Sequence, residues 1–548
     1  MAPHPGDTSA LAAFEQAVHR FAPEAPAARQ AALDQLAALP MPDGEALVRH
    51  HEALLFAAAH PTDTASARAV EARFRHLARH LKSRRGRPDE ALTGHGLPWV
   101  DTVTRFTHDC VRWLLTHPHC QVAPDGYRQP QLDLSAVLRL TLLGLERGVT
   151  SAGLPNEELL AALRVKPAQT LAFLVDQFAR FDAQPLLKDQ LFDALDLFVR
   201  VRPTHAAFSK AGNRLDMGGR VFHQTELLRQ FDPLALMNQR LPAPRRLNAA
   251  QREEVIRVLK NTMTLTVRET DPATYLDPVA LRVYDLERGL SVALFGMTPD
   301  RQLPLESYVG FTLFKNGFPV AYGGAWVFGE RAEFGMNIFE PYRGGESGYM
   351  MCQLLRAYRQ SFGLRHIEVD AHQFGLDNPD GIASGAYWFY WRHGFRSLAP
   401  ELRALAERER ERMRAQPSHR STRRTLLRFT ESNVALHFGG PVPPRLDALT
   451  ARVTTMIARD YAGDRQRAER DCVARFERAA PPAHPLKMAE RAVQTEAALL
   501  WRAGRRQSTR TAPHLAAMVH AKPRDPWTYQ HRLLDWLRAS PESRPTGM

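Results

Sequence analysis

The chain has 548 residues, a length that predicts two to four domains and is ample for buried cores. Hydrophobic residues make up 44% and charged residues 24%, so the composition is that of a globular protein and excludes disorder on a large scale. The formal net charge of +13 is spread along the chain without a lysine cluster, which favours an acidic partner or substrate over a dedicated nucleic-acid surface.

No stretch reaches the roughly 18–20 apolar residues that span a bilayer, and the first residues lack the basic start and apolar core of a secretory signal. We therefore expect a cytoplasmic protein without a membrane partner. The cysteines are too few and too scattered for a disulfide framework, which fits reduced thiols in that compartment: Cys110, Cys120, Cys352 and Cys472.

Residues 1–250 show apolar positions at helical spacing, separated by Pro and Gly punctuation. The pattern predicts an all-helical region, either undivided or split near residue 90 into two subdomains. One predicted helix covers residues 188–200, where Leu191, Phe192, Leu195 and Phe198 fall on one face.

Histidine and cysteine cluster at one place in this region, where His108, Cys110, His117, His119 and Cys120 are residue types that bind zinc. No two-residue spacing between cysteines is present, however. His108 and Cys110 also lie about 200° apart on a helix. We therefore expect a helix terminus with partly buried side chains and no metal.

A Pro-rich joint at residues 241–246 marks a domain boundary, after which a short helix and a strand at 263–268 are expected. The central domain, residues 256–438, contains a clear hairpin that turns at Asn316-Gly317, because this dipeptide suits the positive φ angles of a type I′ turn. A further strand is predicted at 425–429. The Gly-Pro sequence at 439–444 then separates a C-terminal helical extension, residues 445–548.

The middle of the central domain contains a strand (331–339), a Gly-rich turn (342–348), a helix (349–360), a strand (365–371) and a short aromatic helix. This order predicts an α+β fold in which a central mixed sheet with helices is flanked by a large all-helical N-terminal region and a helical C-terminal region. The turn offers exposed backbone N–H groups at the positive end of a helix dipole, so it is a candidate phosphate site. It is not a P-loop, because no Gly-Lys-Ser/Thr follows.

Two short motifs lie on these elements. Residues 386–395 are Ala-Tyr-Trp-Phe-Tyr-Trp-Arg-His-Gly-Phe, and the turn from Arg343 is Arg-Gly-Gly-Glu-Ser-Gly, one helix and one strand upstream. The first resembles the Ala-x-x-x-Tyr-x-x-x-Gly-Phe signature of the GNAT superfamily of acyl-CoA-dependent N-acetyltransferases. The second resembles that superfamily's Arg/Gln-x-x-Gly-x-Gly/Ala pyrophosphate loop. The resemblance is confined to the central domain.

The resemblance implies a GNAT-like sheet that is splayed between the strands at 331–339 and 365–371, with acetyl-CoA as acyl donor in the gap. Backbone groups of Asn337, Ile338 and Phe339 would pair with its pantetheine arm. The cofactor-binding turn residues would be Arg343, Gly344, Gly345, Ser347 and Gly348, with Asn378 replacing, from a longer loop, an Asn of the family that is here Ala383. The acceptor would be an amine that the sequence does not identify.

The resemblance also implies catalytic roles. Tyr390, four residues before Gly394-Phe395, would be the general acid that protonates the CoA thiolate. Glu333 would be the general base by analogy with the family. Asp370, Glu368 and His372 are the alternatives, and these three share one face by the two-residue period of a strand.

One departure from the family pattern weighs against catalysis. Glu346 occupies a loop position that is Gly in the family, and its carboxylate would repel a pyrophosphate. The first hypothesis is therefore an N-acyltransferase whose helical flanks recognise substrate. The second is a scaffold with a degenerate GNAT core that senses acyl-CoA or holds a partner without turnover. Nucleic-acid binding is the third.

Overall fold

The computed structural model describes residues 5–85, 89–223, 226–504 and 511–539, and the position predicted for a subdomain split falls partly on the gap at 86–88. Helices of the N-terminal region are α1 (Pro5–Val18), α2 (Ala25–Ala38), α3 (Gly44–Ala59), α4 (Thr64–Ser83), α5 (His108–Leu115), α6 (Leu134–Thr141), α7 (Asn156–Ala162), α8 (Thr170–Ala179), α9 (Pro185–Asp193) and α10 (Pro233–Asn238). The central region contains α11 (Ala249–Leu265), α12 (Asp271–Thr274), α13 (Ser347–Phe362), α14 (Pro379–Ser384), α15 (Ala386–Arg392), α16 (Pro400–Ala415) and α17 (Arg423–Phe429). The C-terminal helices are α18 (Leu446–Tyr461), α19 (Arg465–Ala479), α20 (Met488–Ala503), α21 (Ala512–Ala521) and α22 (Pro526–Ala539). Among the described residues, no helix combines the length and apolar character needed to cross a membrane.

The strands form two sheets. The smaller one has the order β1 (Thr102–Arg105), β3 (Leu197–Pro203) and β2 (Cys120–Tyr127), all antiparallel. The larger has the order β10 (Arg396–Ser397), β11 (Val434–His437), β9 (His366–Val369), β8 (Arg331–Ile338), β7 (Phe318–Phe328), β6 (Ser307–Lys315), β5 (Leu290–Met297) and β4 (Leu276–Asp285). The predicted α+β class with helical flanks on a mixed sheet is confirmed.

The prediction that residues 1–250 are all-helical is wrong, because this region contains the three-stranded sheet. The helix predicted for residues 188–200 ends at Asp193, and β3 follows it. In β3, Leu197, Val199 and Val201 are buried at every second position, which is strand periodicity. The two β-branched residues favour the extended state over a continued helix.

Two predicted strands of the central region are helical instead. Residues 263–268 include the end of α11, where Thr262 and Thr266 donate side-chain hydrogen bonds to carbonyls four residues earlier. Residues 425–429 lie in α17, because Thr422 caps the helix by accepting a hydrogen bond from the Thr425 N–H. The last strand of the sheet in chain order is β11, a few residues later.

The large sheet is antiparallel from β4 to β8. Its predicted hairpin is confirmed: Asn316 and Gly317 connect β6 to β7 with φ angles of 48° and 83°. β8 then passes through the Gly-rich turn and α13 to β9, which lies parallel to it. A parallel neighbour needs such a crossover, and α13 supplies it by packing Tyr358 against Phe334 of β8.

The parallel pair is short. β8 and β9 are in register only at Arg331, Ala332 and Glu333, opposite residues 366–368. The second half of β8, from Phe334 onward, continues without pairing to β9. β9 ends at Val369, so most of the second half of β8 has no residue of β9 beside it. The Gly-rich turn at residues 342–348 follows the carboxyl end of β8.

The hydrophobic cores cross the boundary predicted near residue 250. Helices α1 to α4 share one core with the large sheet and α13, whereas residues 106–208, joined by Leu265 of α11, form a second core around the small sheet. The C-terminal helices have a third core, which contacts the large sheet through α22. The N-terminal helices α1 to α4 are therefore part of the structure that surrounds the Gly-rich turn.

Candidate cofactor site

The Gly-rich turn connects β8 to a sixteen-residue helix. Gly344 has a φ of 79°, in the left-handed region that favours glycine, and is exposed. Gly345, Ser347 and Gly348 are half-buried, and Ser347 is the first residue of α13. The backbone N–H groups of this first turn lack helical partners, so the segment has the properties of an anion site.

Glu346 does not face the turn as the free carboxylate that we expected. Its side chain is fully buried, ion-paired with Lys315 at 2.8 Å and with Arg288, and it accepts a hydrogen bond from the Leu228 N–H at 2.9 Å. Burial alone would raise its pKa, but the Lys315 charge and the hydrogen bonds outweigh it and lower the pKa to about 2. Because two cations balance this charge, the predicted repulsion of a pyrophosphate loses its basis.

Three histidines that the sequence did not indicate contact the turn. His19 lies 3.6 Å from the position that a Gly344 Cβ would occupy, and His60 lies 3.2 Å from that of Gly345. His393 of the aromatic motif packs so closely on Gly348 that a Cβ there would overlap its ring. The two sequence motifs are therefore in direct contact, and the N-terminal helical region covers one side of the turn.

Only one of the three residues predicted to pair with pantetheine has its backbone groups directed toward the gap. The Phe339 N–H donates to the Val320 carbonyl at 3.0 Å, so it is used by β7. Successive residues of an antiparallel strand direct their backbone N–H and C=O groups to opposite sides. The backbone groups of Asn337 therefore also point to β7, whereas those of Ile338 point to the β9 side. By the same alternation, the backbone groups of Met336 and Phe334 also point to the β9 side, which the sequence did not predict.

Tyr390 lies on α15 and is 4% exposed. Its ring packs against Phe374 and Phe395, and burial raises the pKa of its phenol. Its hydroxyl makes no hydrogen bond within the described part of the chain. A tyrosine with a raised pKa keeps its proton at neutral pH, as a general acid must.

Asn378 is used locally. It caps α14 by accepting a hydrogen bond from the Gly381 N–H at 3.2 Å, and its amide donates to the His372 carbonyl at 2.9 Å. Arg343 is exposed and lies 3.5 Å from Glu340. These two predicted cofactor residues are therefore engaged with neighbours in their own loops.

The four candidate bases differ in their surroundings. Glu333 is exposed, and partial desolvation followed by the charge of Asp370 raises its pKa. Glu368 is buried against Arg331 and accepts from His366 at 2.9 Å, so it is already paired. Asp370 accepts a hydrogen bond from the His372 N–H.

Glu333 therefore combines an accessible carboxylate with a raised proton affinity, which is what proton transfer from an amine requires. Asp370 is its electrostatic neighbour. Glu368 is less suitable as a base because it is already paired with Arg331 and His366. His372 is less suitable because its Nδ1 lies 2.8 Å from the Leu376 carbonyl oxygen and is engaged there.

Comparison of the chain with models of protein families, with curated proteins and with solved structures found no match in any of the three.

Proposed function

We propose that the protein is an acyl-CoA-dependent N-acyltransferase that uses acetyl-CoA as donor and an amine as acceptor. The observation that carries the proposal is the end of β8–β9 pairing at residue 333, which leaves most of the second half of β8 without a β9 neighbour on the way to the Gly-rich turn that opens α13. Such a gap has unpaired backbone groups for the amides of pantetheine and N–H groups for the pyrophosphate. The resemblance of both motifs to the GNAT superfamily supports the same assignment.

The proposed reaction is direct transfer. The neutral amine attacks the thioester carbonyl, and Glu333 takes the proton that the nitrogen loses. The C–S bond then breaks, and Tyr390 gives its proton to the departing thiolate. Proton transfers of this kind typically contribute about 10²–10⁴-fold each to the rate.

A second function, acyl-CoA binding without turnover, is favoured by one set of contacts. His19 and His60 cover the turn on the side of the N-terminal helices, and Tyr390 is almost fully buried. In an enzyme with this arrangement, His19 and His60 would have to leave room for the cofactor at the turn. A sensor would instead use cofactor binding to alter the contact between the two regions.

The proposal is tested by calorimetric titration of Ser347→Glu and Ser347→Gln with acetyl-CoA and with CoA. A carboxylate in the first turn suits the helix dipole, so Ser347→Glu is expected to fold. It places a negative charge where the pyrophosphate would lie, and Ser347→Gln adds similar bulk without the charge. We expect Ser347→Glu to bind at least tenfold more weakly than Ser347→Gln. Equal affinity of the two variants for CoA would exclude this turn as the phosphate site.

Turnover separates the two functions. The wild-type protein is incubated with acetyl-CoA and a panel of small amines, peptides and lysine-containing substrates, and release of free thiol is followed. Acyl transfer supports the enzyme. Tight CoA binding without transfer to any acceptor supports the sensor.

A further inference from the structure

A cluster of two histidines and one carboxylate lies in the C-terminal region, away from the Gly-rich turn. His484 is in the loop between α19 and α20, Glu490 is in the first turn of α20, and His520 is in the last turn of α21. One ligand atom from each lies within 4.8 Å of the others. The sequence did not reveal this group, because its members come from three separate segments.

The cluster is organised around a buried charge. Glu490 is 2% exposed, His520 is half-buried and His484 is exposed. One oxygen of Glu490 accepts from the Lys487 N–H at 2.9 Å, which holds the carboxylate in place. The other oxygen lies 3.1 Å from His520 Nδ1 and is directed at the two imidazoles.

The two imidazoles are adjacent, with ring centroids 4.6 Å apart. His484 Nδ1 lies 3.2 Å from the Pro485 carbonyl, which leaves Nε2 as its ligand atom. The rings are tilted by 49° to each other, and one ligand atom of each ring lies near the Glu490 oxygen. A cation held between the three groups would use all of them as ligands.

We propose that His484, Glu490 and His520 bind one Zn²⁺ ion. Two imidazole nitrogens and one carboxylate oxygen are a donor set typical of zinc, whose bonds of about 2.0–2.2 Å place tetrahedral ligands about 3.3–3.5 Å apart. Ligand atoms as much as 4.8 Å apart close by at most about 1.3–1.5 Å to reach this spacing, and the exposed His484 loop can supply this movement. Water completes the fourth position.

The only competing cation on Glu490 among the described residues is Arg524, whose guanidinium lies 3.4 Å from the same carboxylate oxygen. Its side chain is 63% exposed, so it can turn into solvent when zinc binds. Zinc would connect the loop before α20 to the end of α21, in the helical layer that α22 attaches to the large sheet.

The test is isothermal titration of the metal-free full-length protein with ZnCl₂, together with thermal unfolding at increasing ZnCl₂. We expect one site per chain and an unfolding temperature that rises with zinc. His484→Ala and His520→Ala are expected to weaken zinc binding at least tenfold, since even residues outside the ligand set alter affinity about 10–100-fold. His531→Ala removes an exposed histidine of α22 and is the matched control.

His484 is exposed, so His484→Ala is expected to fold even if His520→Ala unfolds the protein, and zinc binding can then still be tested. The absorption spectrum of the Co²⁺-loaded protein provides an independent measure, with intense visible bands expected for four-coordinate geometry. Zinc binding that is unchanged in His484→Ala and His520→Ala would overturn the proposal. So would an equal loss in His531→Ala, which would indicate nonspecific binding to surface histidines.

Discussion

At the scale of single residues, two tyrosines on α15 allow a catalytic role to be distinguished from a packing role. Tyr387 is buried and its hydroxyl lies 3.2 Å from Ser397 Oγ, whereas the hydroxyl of Tyr390 makes no hydrogen bond within the described residues. We predict that Tyr390→Phe lowers kcat for acetyl transfer about 10²-fold or more, with CoA affinity unchanged. Tyr387→Phe is expected to leave kcat intact and to reduce the free energy of unfolding by about 1 kcal/mol. Steady-state kinetics and urea unfolding of both variants provide the comparison, and equal kcat in Tyr390→Phe and wild type would remove Tyr390 from the mechanism.

The buried pair of Lys315 and Glu346 gives a prediction about stability. Both side chains are fully buried, so Glu346→Gln leaves the lysine charge without its main counterion. We expect a loss of about 3–5 kcal/mol in the free energy of unfolding, measured by urea denaturation at pH 7. Glu431→Gln removes an exposed carboxylate that lies 4.0 Å from Arg428, and it is expected to change stability by less than about 1 kcal/mol.

The same carboxylate predicts the pH dependence. Its folded-state pKa is lowered to about 2, below the ordinary value of 4.5, so the folded state binds its proton less readily than the unfolded state. The stabilisation is therefore complete above about pH 4.5 and is lost as the pH falls toward 2. We expect the free energy of unfolding to decrease more steeply between pH 5 and pH 3 in the wild type than in Glu346→Gln. Parallel profiles would contradict the assignment of this charge.

At the scale of elements, α22 attaches the C-terminal helices to the large sheet, and the buried side chain of Gln530 hydrogen-bonds across this contact. Gln530 is 1% exposed, accepts from the Gly329 N–H at 3.0 Å and donates to Ser307 Oγ at 2.9 Å. Gln530→Ala leaves these buried groups without partners, so we predict a loss of about 1–3 kcal/mol in stability. His531→Ala, on the exposed side of the same helix, should change stability by less than about 0.5 kcal/mol. A Gln530→Ala variant as stable as the control would show that these hydrogen bonds do not stabilise the attachment of α22.

The elements that the sequence predicts well are those whose causes are local. Asn316-Gly317 favours its turn by local backbone preference, and the Gly-rich turn needs only small residues before a helix. β3 and α17 were missed because one depends on pairing with distant strands and the other on a single capping threonine. Single-sequence patterns cannot separate short apolar runs of these two kinds.

At the scale of the whole molecule, the surroundings of the candidate site depend on contacts that no local pattern reveals. His60 precedes Gly345 by almost 300 residues, and Asn316 donates its side-chain amide to the Ala59 carbonyl at 2.9 Å. The sequence therefore predicted the turn and the helix that follows it, but not the N-terminal residues His19 and His60 that contact the turn. The sequence also could not predict which side of β8 each backbone N–H and C=O group faces, because this depends on the register of β8 with β7.

The separation of the cores gives a prediction for the whole chain. Leu174 of α8 lies in the core of residues 106–208 and Leu355 of α13 in the core shared by the large sheet and the N-terminal helices, and both are fully buried. Each Leu→Ala change should cost about 2.7–5 kcal/mol. The two units are joined by Leu265 of α11, which packs into the core of residues 106–208, and by polar contacts such as the Arg301 ion pair with Asp109 and the Tyr275 hydroxyl hydrogen bond to Asp189. These links are limited compared with a common core. We therefore expect two calorimetric transitions, with Leu174→Ala lowering the temperature of one and Leu355→Ala that of the other. A single transition shifted equally by both variants would show that these links make the units cooperative.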